Sequence, residues 1–233
     1  MAARPPRTLK PMLPPALAQL LTYHAPLSTL QREQDGAVTL LTPGVNVLAL
    51  NATYLPADPG PAALRATAQW HAAHELPALV ASAAPLAGAQ VVATLRVGPW
   101  SPQPLPPTGP EAAEVVVEQI SRLHLGLWAQ ALAGSRGTPG WGPPLARQLG
   151  ARLEGTRGFL PLLAYRQEEA VGALLWQAQG RGGAALLWGA AEPAVAAALL
   201  NTAAALGEPL LTAWTPEDFE APGEAVFFSL LPS

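Results

Sequence analysis

The stretch GFLPLLAYRQEEAVGALLWQ, residues Gly158–Gln177, carries the clearest fold signal in this sequence. Two apolar runs, Gly158–Tyr165 and Ala170–Trp176, flank a short polar segment at Arg166–Glu169. Apolar runs of this length, separated by a tight polar turn, are typical of a β-hairpin. The stretch therefore predicts two neighbouring antiparallel strands.

Outward from this hairpin, strands and helices alternate along the chain. Gln177–Gly183 predicts a second turn, and Ala184–Trp188 predicts the strand after it. Pro193 suits the first turn of a helix, where its missing N–H has no partner to lose, and Gly207 can end that helix. The same half predicts strands at Glu114–Ile120, Leu210–Trp214 and Ala225–Leu231 and a helix at Leu123–Ala133.

The first part of the chain shows the same alternation in weaker form. A helix is predicted from about Pro59 to His74, with Asp58 as its N-terminal cap. The strands predicted around this helix are Ala37–Leu41, Val45–Leu55, Leu79–Ala83 and Gln90–Val97.

A proline-rich segment, Gly98–Pro110, divides the chain. Its six prolines lack backbone donors and favour extended geometry, so the segment predicts a linker without a helix or an inner strand. The predicted units are therefore residues 1–97 and 111–233, joined by the linker 98–110.

The two units resemble each other in the order of their residues. Pro14-Pro15 followed by Gln19-Leu20 recurs as Pro143-Pro144 followed by Gln148-Leu149, and further matches follow in the same order with small gaps. Ordered matches are typical of diverged repeats, whereas chance agreement among the many alanines and leucines is the alternative. The sequence favours a duplication, with 111–233 as the more complete unit.

The order of elements in 111–233 resembles the GNAT superfamily, the GCN5-related N-acetyltransferases. The best local match is Gly158–Gln177, which is similar to the family's second and third strands, with the Val171-Gly172 pair after the polar turn. The resemblance implies an α/β (α+β) fold of two GNAT-like units, each a mixed, mostly antiparallel sheet flanked by helices. Residues 1–97 would form the degenerate unit.

The resemblance also implies acyl-CoA-dependent N-acyl transfer. In the family, acetyl-CoA lies in a split between two parallel strands. Its pyrophosphate meets a Q/R-x-x-G-x-G/A loop at a helix N-terminus, where free N–H groups and the helix dipole favour anions. Carried over, this puts the cofactor beside four residues, Leu187, Trp188, Gly189 and Ala190. The implied partner is a small-molecule acyl donor, and the acceptor substrate is not readable.

The phosphate-binding loop departs from the family motif. Gly189–Glu192 lacks the glycine pattern, and Glu192 adds negative charge where two phosphates would lie. Gln177–Gly182 fits Q-x-x-G-x-G, but Pro193 would then interrupt the following helix, so a hairpin turn is favoured there. Two functions stay open: an N-acyltransferase, or a catalytically inactive GNAT-like module that binds a protein partner or a small ligand.

Composition narrows the function classes further. The formal net charge is −3 and no basic run is present, so nucleic-acid binding is not expected. The sequence has no cysteine, which excludes disulfides and thiolate catalysis. No apolar stretch reaches the ~20 residues of a membrane span, and no secretory signal pattern is present, so a cytoplasmic protein without membrane contact is expected.

Few polar side chains in the sequence are spaced as a metal site or a catalytic site would require. His71 and His74 have a spacing that can hold a metal on a helix, but no third ligand is indicated, so a solvated helix end is favoured and no metal is expected. No catalytic residue is assigned. The candidate acids, by location alone, are Glu168, Glu169, Glu192 and Glu217.

The remaining notable residues are expected to serve the fold. His24 and His124 are isolated in sequence, and Gly134–Gly137 indicates a turn. The tryptophans near the ends of the predicted strands are expected in the core, with the floor of an apolar pocket as the alternative; they are Trp176, Trp188 and Trp214.

Overall fold

The computed structural model describes residues 13–104, 114–219 and 221–232. Its α-helices are α1 Pro15–His24, α2 Pro61–Ala72, α3 Leu125–Ser135, α4 Gly142–Glu154 and α5 Pro193–Leu206. Its strands are β1 Leu30–Gln34, β2 Ala37–Leu41, β3 Thr53–Tyr54, β4 Leu79–Ser82, β5 Gln90–Trp100, β6 Val116–Gln119, β7 Phe159–Arg166, β8 Glu169–Gln179, β9 Gly182–Ala190, β10 Leu210–Trp214 and β11 Glu224–Leu230. None of the helices in these ranges has the length and apolarity needed to cross a membrane.

All these strands lie in one sheet, in the order β1-β2-β3-β4-β11-β5-β10-β9-β8-β7-β6. The pairs β3–β4 and β9–β10 are parallel, and the other neighbours are antiparallel. The expected fold class, a mixed and mostly antiparallel sheet flanked by helices, is confirmed. Both parts of the chain contribute to the same sheet.

The last strand of each half lies among the strands of the other half. β5 comes from the first half and pairs with β10, where Trp100 lies opposite Leu210. β11 comes from the second half and pairs with β4, where Leu230 lies opposite Leu79. β5 and β11 also pair with each other. We call this arrangement the strand exchange.

The prediction of no inner strand within Gly98–Pro110 is wrong at its start, because β5 continues to Trp100. β11 pairs with β5 only as far as Val97, so the proline nitrogen of Pro99 interrupts no ladder on that side. Gly98 is packed so closely that a Cβ there would lie 2.8 Å from the carbonyl oxygen of Pro222. Residues 105–110 of the predicted linker lie outside the described residues, and the unit boundaries 1–97 and 111–233 stay a prediction.

The predicted hairpins of the second half are confirmed. β7 and β8 are joined by Gln167 and Glu168, both with positive φ. β8 and β9 pair as far as Gln179 and Gly182, so a phosphate loop at Gln177–Gly182 is wrong and the hairpin turn is right. The local apolar runs are sufficient to predict these hairpins, because each strand pairs with the strand that precedes or follows it in the sequence.

The first half departs from its predicted elements in two places. Only Thr53–Tyr54 of the predicted strand Val45–Leu55 form β3. The Asn51 amide explains the difference, because it accepts from Thr42 N at 2.8 Å and donates to Val45 O at 2.7 Å, which closes a loop. The predicted cap Asp58 is also wrong, since α2 begins at Pro61 and its N-cap residue is Gly60.

Apolar side chains cover both faces of the sheet. Alternate residues of β8 divide between two cores, with Leu175 packing in the core beneath α1, α3 and α4 and Leu174 in the core beneath α5. The α5 core holds the buried indoles of Trp176, Trp188 and Trp214, so their prediction as core residues is confirmed.

His71 is not part of a solvated helix end, contrary to expectation. It is fully buried, with Nε2 3.1 Å from Thr53 Oγ1 and Nδ1 2.8 Å from Pro77 O. Burial lowers the pKa of His71 to about 4. The His74 ring instead lies tilted against the Trp70 ring, with the two centroids 4.4 Å apart. Within the described ranges, no three His, Cys, Asp or Glu side chains are grouped so as to hold a metal ion.

Candidate functional site

The strands β9 and β10 separate at their carboxyl ends. They are parallel and pair only where Gly183–Ala185 meets Leu210–Thr212. β9 continues to Ala190 and β10 to Trp214, so the two strands diverge beyond the last pair. The result is a split in the sheet beside α5, at the position that the sequence predicted for a cofactor.

An indole bridges this split. Trp188 Nε1 on β9 donates to Ala213 O on β10 at 2.7 Å. Trp188 is 5% exposed, and Phe219 lies against its ring with centroids 6.3 Å apart. The backbone oxygen of Trp188 is also engaged, because Arg136 Nη2 donates to it at 2.9 Å. The divergent strands are thus held together by side chains where backbone pairing has ended.

The first half of the chain fills a bulge in β9 next to the split. The register of β9 against β8 gains one residue between Leu187 and Ala184, which is a β-bulge. The hydroxyl of Tyr23 on α1 donates to Leu175 O, and the backbone N–H groups of Leu186 and Leu187 in the bulge lie near enough to its oxygen to favour negative charge there. Burial raises the pKa of Tyr23, although these N–H groups act in the opposite direction.

The N-terminus of α5 carries an ion pair. The guanidinium of Arg166 holds the Glu192 carboxylate through two hydrogen bonds of 2.8 and 3.1 Å. This pairing lowers the pKa of Glu192 and raises that of Arg166, so both groups stay charged at neutral pH. The first helical residue is Pro193, which has no N–H to offer an anion.

A cavity of about 420 Å³ lies on the opposite side of the sheet from α5. Its walls come from the end of β9, the middle of β5, the turn between α3 and α4, and the loop that follows β2. Leu186, Leu187 and Trp188 of β9 border it, and His24 closes it from α1. Cavities of this size and apolar character are typical of small-molecule sites.

Two solved structures resemble this chain over most of its length. A GCN5-related N-acetyltransferase from Kribbella flavida is 17% identical with a TM-score of 0.61, and the match covers 94% of this chain and 96% of that one. A functionally unknown conserved protein from Staphylococcus epidermidis ATCC 12228 is 11% identical with a TM-score of 0.61, covering 88% and 94% of the two chains. The chain has a GNAT-like fold. No protein-family model matches the sequence, and no curated protein matches it either.

The four residues predicted for the cofactor fall into two environments in this GNAT-like fold. Leu187 and Trp188 border the cavity. Gly189 is buried against the end of α3, where a Cβ would lie 2.3 Å from Ser135 Oγ. Ala190 lies opposite Gly172 in the β8–β9 ladder. The structure therefore brings the first two to the cavity and covers the third with a helix.

Sequence reasoning missed three residues that shape the site: Tyr23, His24 and Arg136. Tyr23 and His24 end a helix in the other half of the chain, about 150 residues before the strands they meet. Arg136 follows α3 in the predicted Gly134–Gly137 turn, and that turn is confirmed. No local pattern marks these residues, because their roles depend on how the halves of the GNAT-like fold meet.

Replacement of Tyr23 by Phe should destabilise the protein by about 2–3 kcal/mol, because Leu175 O would lose its donor and the bulge N–H groups would lose the polar oxygen beside them in a dry core. Urea unfolding measures the loss. Tyr54→Phe is the matched control, since Tyr54 is equally buried and its hydroxyl also donates one hydrogen bond, to Ala49 O at 2.7 Å, but no backbone N–H group acts on its pKa. It should cost about 1 kcal/mol. Equal losses in the two variants would contradict the role given to Tyr23.

Proposed function

We propose that this protein is a GNAT-like ligand-binding module, and that it binds a small molecule in the cavity beside β9 without using acetyl-CoA. Of the two functions that the sequence left open, this is the second. The observation that carries the proposal is the bridge from Trp188 Nε1 to Ala213 O at 2.7 Å across the β9–β10 split. A thioester arm entering the split would have to displace that indole from its hydrogen bond.

The phosphate end of the split supports the same proposal. A diphosphate at the N-terminus of α5 would meet the Glu192 carboxylate and a proline that lacks an N–H. Arg166 could offset that charge only by leaving Glu192, with which it already forms two hydrogen bonds. The first half offers no better site, because α2 also begins with a proline, Pro61.

Isothermal titration with acetyl-CoA tests the proposal. At about 1 mM ligand, which would reveal a dissociation constant as weak as ~1 mM, we expect no heat and no acetyl transfer to a panel of amines. Glu192→Gly should gain no affinity, and Glu217→Gly, which removes an exposed acid outside α5, is its control. Turnover of acetyl-CoA by the wild type would end the proposal. Affinity gained by Glu192→Gly alone would show that the helix end can accept a diphosphate.

We also propose that the module arose by duplication of a GNAT-like unit, with units at 1–97 and 111–233. The order helix, hairpin, strand, helix, strand, strand occurs twice in the described chain, first from α1 to β5 and again from α4 to β11. The paired prolines that recur in sequence lie at the starts of α1 and α4. A duplication would explain why residues from both halves of the chain form the walls of the cavity.

A further inference from the structure

His24, which borders the cavity, has a buried hydrogen-bond acceptor without a partner among the described residues. His24 is 1% exposed, and its Nδ1 lies 2.8 Å from Leu20 O. Because a carbonyl oxygen only accepts, Nδ1 carries the proton and Nε2 presents a lone pair. Within the described residues, Nε2 has no hydrogen-bond partner. An unpaired buried acceptor is destabilising, so this atom points to an external donor.

A positively charged side chain, Arg136, lies at another part of the same cavity. The Arg136 guanidinium sits 5.4 Å from the centroid of the Trp188 ring and uses Nη2 to donate to Trp188 O. A guanidinium has five N–H donors, so most of them are left for another group. No carboxylate in the described part of the chain forms an ion pair with Arg136, and no acid borders the cavity there.

The other walls of the cavity are mainly apolar, with uncharged polar side chains at Asn46, Thr138 and Thr215. Leu132, Leu186, Leu187 and Phe228 line the space between the helices and the sheet. Arg136 is exposed whereas His24 is buried, so the charged group lies at the open side and the acceptor at the closed side. An occupant would therefore enter with its apolar body first and leave its charge outermost.

We propose that the cavity binds an amphipathic organic anion: a mainly apolar or aromatic body, an N–H or O–H group that donates to His24 Nε2, and an acidic group held by Arg136. This inference rests on the proposed function and names the class of ligand for its cavity. A cation is disfavoured because Arg136 is the charged side chain that borders the cavity among the described residues.

The probe 8-anilinonaphthalene-1-sulfonate tests the ligand class, since it combines an apolar ring system, an N–H donor and an anion. Naphthalene-1-sulfonate is the matched probe without the donor. We expect saturable binding of both by the full chain, with one site. Arg136→Gln should weaken both probes about tenfold, as expected for loss of a charge-assisted hydrogen bond. Arg147→Gln, an exposed arginine on α4 away from the cavity, should change neither.

His24→Asn separates the acceptor from the rest of the site. The Asn amide can still donate towards Leu20 O, but nothing replaces Nε2. We expect about tenfold weaker binding of the anilino probe and little change for naphthalene-1-sulfonate. Each variant must keep the wild-type near-UV circular dichroism, because partly folded states also bind anilinonaphthalene dyes. If His24→Asn does not fold, Arg136→Gln with both probes still decides the anion.

Two results would overturn the inference: no saturable binding to the wild type, or affinities that neither variant changes. Both probes lack a thioester and a phosphate, so their failure would overturn the ligand class and leave the acetyl-CoA result standing. Acetyl-CoA turnover would instead overturn the proposed function. The two failures are thus distinguishable.

Discussion

Residues 1–104 and 114–233, produced as separate chains, should each fail to fold alone and should form one folded complex when mixed. The reason is the strand exchange. In the first fragment β4 and β5 are not neighbours, because β11 of the second fragment lies between them. In the second fragment β10 loses β5, and β11 loses both of its partners. Near-UV circular dichroism and size-exclusion chromatography measure the effect, with loss of the native signal in each fragment and its return on mixing.

The matched control is the intact chain with a protease site inserted within residues 105–113 and cleaved after folding. The cleaved protein should remain a complex, because the exchanged strands hold the halves together without the linker. A single fragment that unfolds cooperatively would contradict the prediction. It would mean that β4 can pair directly with β5. The sheet with exchanged strands and the sheet without exchange would then have similar stability.

Lowering the pH from 7 to 5 should reduce the free energy of unfolding by about 4 kcal/mol, roughly 2 kcal/mol for each of two histidines. Burial lowers the pKa of His24 and of His71 to about 4 in the folded protein, against 6.5 ordinarily. Above pH 6.5 both states hold these rings neutral, so they contribute no pH dependence. Below it the unfolded chain binds protons that the folded protein excludes, so stability is lost as the pH falls towards 4.

Urea unfolding at pH 7, 6 and 5 measures this loss as the slope of the free energy of unfolding against pH. His24→Asn and His71→Gln each lower stability at pH 7 by removing buried contacts, but each should also remove about half of the slope between pH 7 and 5. Removal of a proton-binding site changes the slope, whereas a merely destabilising change shifts the whole curve. A wild-type slope that survives in both variants would contradict the assignment.

The elements of the second half could be predicted because each depends on its own residues. β10 was predicted at its observed bounds, and the β7–β8 and β8–β9 turns follow from polar residues between apolar runs. The loop at Val45–Ala52 could not, since its apolar residues also suit a strand. Its conformation depends on the Asn51 side chain, and one amide gives no periodic signal.

The strand exchange had no signal in the sequence at all. The largely apolar sequences of β5 and β11 suit an inner strand whichever strand lies beside it, and no local pattern selects β10 rather than β4 as the neighbour of β5. The residues of the candidate site that come from distant parts of the chain likewise had no local signal. Leu187 and Trp188 were predicted through the fold resemblance, whereas His24 was set aside as isolated because β5 and β9, which border the same cavity, lie about 70 and 160 residues further along the chain.

The strand exchange also changes how many open edges the sheet presents to other molecules. Two separate sheets would have four edge strands, each a template to which another chain could add. In the part of the chain that the structure describes, the merged sheet has two, β1 and β6. β1 carries the polar sequence LQREQ, and β6 is only four residues long, both of which disfavour strand addition. Exchanging the last strands therefore removes two places where copies of this chain could join edge to edge into larger aggregates.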